Sequence, residues 1–471
     1  MRDGDRMKKL VLLASCLGFF VAILRATSVN TALPAIRADL GGGLSGLQWV
    51  LNGYTLVFAS LLLTAGALSD RLGARRVLLW GLGLFALASG LSALAPTLAV
   101  LIPLQALLGV GGALVVPATL ALISAAFREP AERARAVGLW SATAGLGVAM
   151  GPLLGGLLAG SLGWRSVFGL NVALVVVVAA LAVRFVPRSA LVPGRGVDLA
   201  GQALGILALG SLTYALIEAG GRGWGGTSVL LAFAVFAVCA PAFVLVERRL
   251  ERRGASPMLP LGLFGNATFS AGTFAGASLT FSVYGQLFLL SLFFGEVLGY
   301  GAVATGLAFL PLAFVTFGAS VVSGRLVARL GLRTPLVAGL GLAGVGSLLL
   351  VLAGEDVSYA ALLPNLLLVG AGGGLILPPA TAAVVSSAPV ERAGIASAIV
   401  NASRQASGVL GVALLGSLVA GEGGAAFAEG LRLAGIICAL VLLAGAAVSL
   451  LYVRAPRKEA ASEEAPARAA P

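Results

Sequence analysis

Two arginines stand where an apolar chain has little use for charge. Arg25 and Arg404 each lie inside a long hydrophobic run. A guanidinium at mid-helix in a membrane costs at least about 2.5–3.5 kcal/mol unless it faces water or a partner. Arg25 therefore has two readings. It lines a cavity and holds an anionic or carbonyl-bearing group, with Gln105 as a neutral hydrogen-bonding neighbour. Alternatively, it snorkels to the outer end of its helix or is satisfied by backbone carbonyls. The other polar side chains on apolar runs are Thr27, Asn30, Asn52, Tyr54, Tyr284, Gln286 and Asn365. With Arg25 and Gln105 they form the candidate lining of an apolar pocket with a few polar groups, which suits an amphipathic small molecule. Arg404 reads as support for an inner gate. Acids are fewer. Glu218 and Glu296 lie at the ends of apolar runs, where each reads first as a solvated end residue; of the two, Glu296 is the better proton-carrier candidate because its run belongs to a core half.

Bond-making chemistry has no visible equipment. The chain has no histidine, which removes the commonest metal ligand. Cys16, Cys239 and Cys438 sit in three separate apolar segments, without disulfide or metal spacing. Gly370-Ala-Gly-Gly-Gly374 lies in an apolar helix with no Lys-Ser/Thr after it, so it is not a phosphate loop. No enzyme, cofactor or metal site is expected.

A second group of charges lies between the apolar runs. Gly66-Ala-Leu-Ser-Asp70-Arg71-Leu-Gly73-Ala-Arg75-Arg76 is too short to be a domain and joins two hydrophobic stretches. The pattern returns 258 residues later, where Arg329, Gly331 and Arg333 align with Arg71, Gly73 and Arg75, and Ala328 aligns with Asp70. A duplicated helix–basic turn–helix unit predicts a transporter built from two repeated bundles. Asp70, Arg71 and Arg75 with Glu132, Arg133 and Arg135 form a candidate inner-face charge network, read as a state-dependent latch.

The elements that position these groups follow from composition. The 471 residues are 59% hydrophobic and 11% charged, with mean hydropathy +1.03. Soluble domains carry roughly 25% charged residues, so the expected fold is an all-α polytopic membrane protein. A span needs roughly 20 apolar residues. That ruler gives fourteen, from 10–33 to 431–453, with ninth and tenth spans at 267–293 and 303–326. The net charge of +12 does not point to nucleic acid, because the basic residues fall between the apolar runs. With the N-terminus inside, tails and inner loops hold 25 Lys/Arg. Outer loops hold four, Arg37, Arg165, Arg222 and Arg432, and that bias places both termini in the cytoplasm. Leu13-Ala-Ser-Cys16 resembles a lipoprotein cleavage box, but the apolar run before it is very short, and an uncleaved first span is expected. The expected division is a six-helix bundle at 1–190, an inserted helix pair at 191–255, a second six-helix bundle at 256–455 and a disordered cytoplasmic tail at 456–471.

Several motifs carry a resemblance across spans 1 to 13, the last of them Arg392-Ala-Gly394-Ile-Ala-Ser397 with Asn401-Ala-Ser-Arg404-Gln405 at the entry to span 13. The segment from Gly66 to Arg76 resembles the signature loop after the second helix of the major facilitator superfamily. Leu24, Thr27, Asn30, Ala32, Leu33 and Pro34 match the first-helix signature of its fourteen-span drug:proton antiporter branch, but Arg25 stands where that branch has an acid. Span 4 is similar to the family's fourth-helix motif, with Gln105 in place of its Arg. Gly147, Gly151, Pro152, Gly155 and Gly156 match the antiporter motif of exporters. Gly163-Trp164-Arg165, with Phe168 and Asn171, is similar to the outer turn into span 6. The resemblance implies two six-helix bundles plus two inserted helices, and the short loops with an uncleaved first span suggest a bacterial cytoplasmic membrane. The resemblance also implies multidrug or antibiotic efflux by alternating access, with proton antiport. Lipid, a small amphipathic substrate and protons are the expected partners of a monomer. Arg25 in place of the acid leaves open a second reading, an exporter of a specific neutral or anionic metabolite with non-standard or no proton coupling. A membrane-embedded enzyme or receptor is the remote alternative.

Overall fold

The computed structural model describes residues 2–127, 129–187, 198–255, 257–352, 354, 357–389, 392–419 and 424–453. The expected tail at 456–471 and the expected boundary at 190 and 191 lie outside them. The described residues are helical, with no strand among them. Fourteen helices are long and apolar enough to cross a membrane. They are α1 (Arg6–Leu40), α2 (Leu44–Leu72), α3 (Ala74–Ala93), α4 (Leu98–Ala126), α5 (Arg135–Ser161), α6 (Arg165–Phe185), α7 (Leu199–Arg222), α8 (Thr227–Arg252), α9 (Ala267–Val297), α10 (Ala302–Leu330), α11 (Arg333–Leu352), α12 (Tyr359–Ser387), α13 (Gly394–Ser417) and α14 (Gly424–Tyr452). Large apolar side chains remain exposed along them, such as Val238, Phe314 and Leu451. That surface suits lipid, where helices satisfy their own backbone hydrogen bonds.

The two sixes repeat one packing scheme. In each, the first helix packs on the fifth, the second on the fourth, and the third on the fourth and sixth. The matching turns use the same device. Gly73 ends α2 with φ 90° and Gly331 ends α10 with φ 76°, a region that an L side chain enters only at a cost. Two helices depart from the simple spans. α9 continues through a π-helical turn, Phe293–Val297, which carries Glu296. α10 is split into Ala302–Ala308 and Leu310–Leu330. Pro311, in the first turn of its second piece, lacks the N–H that would continue the ladder.

The halves meet along two seams, α2 against α13 and α5 against α10, with α1 and α9 touching as well. The α7–α8 pair attaches through α7, which packs on both α2 and α13. Gln202 of α7 donates to the Ser60 carbonyl at 2.9 Å and bonds Thr64, while Ser45 donates to Glu218 at 2.8 Å. α7 is thus pinned to α2 near both ends. Burial follows: the most apolar window of α9 is 78% buried, that of α8 only 17%.

The two ends of the seams differ. At the end remote from the N-terminus, hereafter the far end, the halves are tied. Gln48 of α2 donates to the Val412 and Ala413 carbonyls of α13 at 2.9 and 3.0 Å. Ser291 of α9 donates to the Asn30 carbonyl of α1 at 2.6 Å. Arg37 and Glu296 form an ion pair at the rim. Backbones touch where α5 crosses α10: a Cβ on Gly156 would stand 2.5 Å from the Ala302 oxygen, and one on Gly306 2.6 Å from the Pro152 oxygen. Helices without side chains at a crossing approach closely. At the near end, which carries the N-terminus, the halves part around a cavity.

Candidate functional site

The cavity encloses about 340 Å³. Its walls are the near ends of α2, α4 and α5, the start of α7, residues 257 and 258, and the first two turns of α13. Leu62, Leu63, Val116, Pro117, Leu120 and Ile395 make it apolar, and Thr64, Ser124, Ser397 and Asn401 add neutral polar groups. Its charged lining residues are Asp70 and Asp198; no lysine or arginine is among the described residues that line it. The wall is thus apolar, with a few neutral polar groups and two acids.

None of the nine expected lining residues borders this cavity. Arg25 is fully buried within the first half. Its Nη2 donates to Gln105 of α4 and, at 3.3 Å, to the Val50 carbonyl of α2. Its guanidinium lies 4.1 Å over the Tyr54 ring, a cation–π contact that offsets part of the desolvation. The Tyr54 hydroxyl donates to the Ala22 carbonyl at 2.9 Å. Gln105 passes the chain on, its Nε2 donating to Ser92 of α3 at 3.0 Å. Arg25 Nε and Nη1 have no hydrogen-bond partner. The expected pairing of Arg25 with Gln105 is present, but it faces inward between α1, α2, α3 and α4 and not into the described cavity.

The second half contains a counterpart on the equivalent helices. Asn365 of α12 donates to Gln286 of α9 at 3.1 Å and to the Gly346 carbonyl at 2.8 Å, and Gln286 donates to Ser347 of α11 at 2.8 Å. Tyr284 is half-buried and reaches Gln405 only at 3.5 Å. Arg404, also half-buried, points at Thr280 of α9 at 3.4 Å, one turn from the cavity-lining Asn401. Thr27 donates to the Gly147 carbonyl at 3.2 Å and joins α1 to α5. Asn30 is buried beside the far-end tie, and Asn52 is buried with its Nδ2 unpartnered.

The remaining expected residues divide between the two ends. Gly66 and Asp70 line the cavity. Arg75 donates to the Val183 carbonyl at the end of α6, at 2.7 Å. Glu132 pairs with Lys8 at 2.7 Å. Arg71, Arg133 and Arg329 are exposed, and Gly331 and Arg333 half-buried, on the near face. Gly147, Gly151 and Gly155 face α1, while Pro152 and Gly156 meet α10. At the far end Asp39 accepts from Trp164 at 2.9 Å and pairs with Arg165, which gives the Gly163-Trp164-Arg165 turn a structural anchor. Glu296, in its ion pair with Arg37, is also at the far end, away from the cavity.

Asp198 lines the cavity and Glu247 is fully buried, and neither is marked as a site by the sequence. Asp198 precedes the first apolar residue of α7, the ordinary place for a helix cap, and its Oδ1 does accept the Gly201 N–H at 2.8 Å. Glu247 opens a stretch dominated by arginines and reads as part of a basic loop. Its one signal was an acid at the tail of an apolar run.

A family model described as the Major Facilitator Superfamily matches residues 15–412. The chain belongs to this superfamily. Among curated members, it is 40% identical over 416 residues to the Multidrug resistance protein Stp of Mycobacterium tuberculosis, covering 88% of this chain and 76% of that one. It is 35% identical over 412 residues to the Methylenomycin A resistance protein of Bacillus subtilis, covering 87% of each. A solved structure of a bacterial homolog to the human lysosomal transporter Spinster, in an inward-facing and unoccupied conformation, superposes with TM-score 0.64 at 18% identity, over 95% of this chain and 97% of that one. At that identity the likeness concerns the fold, and the major facilitator fold expected from the motifs is the fold observed.

Proposed function

We propose that this protein is a secondary-active exporter of small amphipathic molecules, drugs or antibiotics among them, working by alternating access. The observation that carries this reading is the asymmetry of the seams. One cavity between the halves opens at the near end, while side chain–backbone bonds and glycine contacts close the far end. The positive bias of the near-end loops supports assigning that end to the cytoplasm. The structure is then an inward-facing state, ready to load from the cell interior. The cavity is built within one chain, which supports function as a monomer in the cytoplasmic membrane. Relatives with drug and antibiotic resistance in their names agree with this direction of transport. No nucleotide-binding motif is present in the sequence, so the driving force is an ion gradient, and protons are the ion proposed.

The wall chemistry narrows the substrate. Asp198 stands in the cavity wall and Arg25 stands outside the cavity, so cationic and neutral amphiphiles are favoured over anionic ones. In proteoliposomes with a pH gradient and a membrane potential imposed separately, matched cationic, neutral and anionic amphiphiles separate the readings. Cationic and neutral compounds should accumulate under the pH gradient, and the anionic one should not. If neither gradient moved any of the three, the efflux reading would fall. If only the anionic compound moved, the assignment of the substrate's charge would fall.

A further inference from the structure

Behind the cavity wall lies a pair of carboxylates that the transport scheme above leaves unused. Asp198 lines the cavity at the start of α7, and Glu247, near the end of α8, lies directly behind it with no exposed surface. Each spends one oxygen on a backbone N–H. Asp198 Oδ1 accepts from Gly201 at 2.8 Å, and Glu247 Oε2 accepts from Leu259 at 2.9 Å. The other two oxygens, Asp198 Oδ2 and Glu247 Oε1, are buried and have no donor. They converge on one spot beside Gly201. A Cβ placed on that glycine would come within 2.6 Å of Glu247 Oε1 and would also strike Asp198 Oδ2. Two acceptors turned toward each other out of water repel unless a hydrogen lies between them. Among the described residues, the other groups facing the pair supply no counter-charge. α2 brings Asp70 and Thr64 to the same cavity, α13 brings Ser397 and Asn401, α5 brings Trp140, and the link after α8 brings backbone N–H groups. Glu251, one turn further along α8, turns away to accept from Gly262 at 3.1 Å.

From this geometry we infer that Asp198 and Glu247 hold one proton between them and release it into the cavity when a cationic amphiphile docks against Asp198. The inference rests on the exporter reading and gives it a coupling site. The step balances simply. The carboxyl O–H bond breaks, the proton passes to cavity water as hydronium, and the arriving monocation offsets the negative charge left on the pair. The same junction joins the start of α7, the end of α8 and the link into α9, so its charge state acts where the insert meets the second half.

The test uses the full chain in detergent, weakly buffered, with tetraphenylphosphonium as the cation and a pH-indicator dye as the readout. Wild type should release close to one proton per cation bound, and its affinity should fall about tenfold per pH unit on the acid side of the transition, as expected for direct competition. Glu247→Gln keeps an oxygen to accept from Leu259 but cannot ionise. It should bind the cation without proton release and with affinity nearly independent of pH, and Asp198→Asn should lose release as well. Wild type that binds without releasing protons, or does not bind, overturns the inference. So does a Glu247→Gln variant that releases as many protons as wild type. Accumulation driven by a pH gradient in proteoliposomes separates this from the exporter reading. Proton release without accumulation leaves the site standing and removes antiport. Equal accumulation by wild type and Glu247→Gln leaves antiport standing and removes the site.

Discussion

The two halves each bury a polar relay across their first, third and fourth helices, and charge it differently. In the first, Arg25 on α1 bonds Gln105 on α4, which bonds Ser92 on α3. In the second, Gln286 on α9 bonds Asn365 on α12 and Ser347 on α11. The serines even end alike, Ser92 donating to the Ala88 carbonyl at 2.7 Å and Ser347 to the Ala343 carbonyl at 2.8 Å. The first, third and fourth helices are thus stitched together in both bundles, with the serine bonded by the fourth-helix Gln105 in one and by the first-helix Gln286 in the other. The second half does it with neutral groups. The first uses a guanidinium that keeps two nitrogens unpartnered and leans on an aromatic face. The difference teaches that a buried charge here acts first as a structural tie. Its place in the repeat is that of a neutral amide, and its surroundings are helix backbones and side chains, not the cavity.

Substitutions can break this comparison in graded steps. The largest effect is expected for Gln105→Leu, which strips the buried Arg25 of its side-chain acceptor. Hydrogen bonds to charged groups contribute about 1.5–3 kcal/mol, and a loss of that size should appear in thermal unfolding in detergent. The double variant Arg25→Met, Gln105→Leu should recover most of it, since apolar replacement of a buried charged contact is often neutral; no recovery would mean that the tie is not electrostatic. Ser92→Ala and Ser347→Ala each free one glutamine amide. Both should cost about 0.6–1.7 kcal/mol, the range of interhelical hydrogen bonds in membranes, and a large gap between them would show that the relays are not equivalent. Tyr54→Phe removes only the bond to the Ala22 carbonyl and keeps the ring under Arg25, so its cost should lie near the bottom of that range, about 0.6 kcal/mol. The smallest effect is expected on transport itself. Arg25→Met should leave the export rate of a neutral amphiphile within about threefold of wild type, whereas a large loss confined to anionic compounds would put Arg25 back in the binding site.

The sequence made much of this legible. Long apolar runs separated by basic turns are a one-dimensional signal, and they located the helices and the repeat. Arg25 and Gln105 were recognisable as partners because each replaces a family residue of another charge. Their orientation was not recognisable, since a mid-helix polar residue looks the same whether it faces a cavity or a neighbouring helix. Glu296 was legible as the end of an apolar run, but the π-helical turn that carries it there is not revealed by periodicity. Asp198 and Glu247 are 49 residues apart on different helices, so only packing brings their oxygens together. Gln48 and Ser291, which tie the far end, bond to backbone carbonyls, and a sequence carries no mark of which carbonyl lies opposite.

The crossing of α5 and α10 has a practical consequence. Closure of the far end depends on two missing atoms, the Cβ positions of Gly156 and Gly306. A methyl group there is a wedge between two backbones, and a wedge acts only on the conformer in which the backbones touch. Its whole energetic penalty therefore falls on one side of the conformational equilibrium. A series such as Gly156→Ala and Gly156→Val is then a dial for state populations, set by side-chain volume alone. It offers a way to hold the opposite conformer still while leaving the cavity wall as it is.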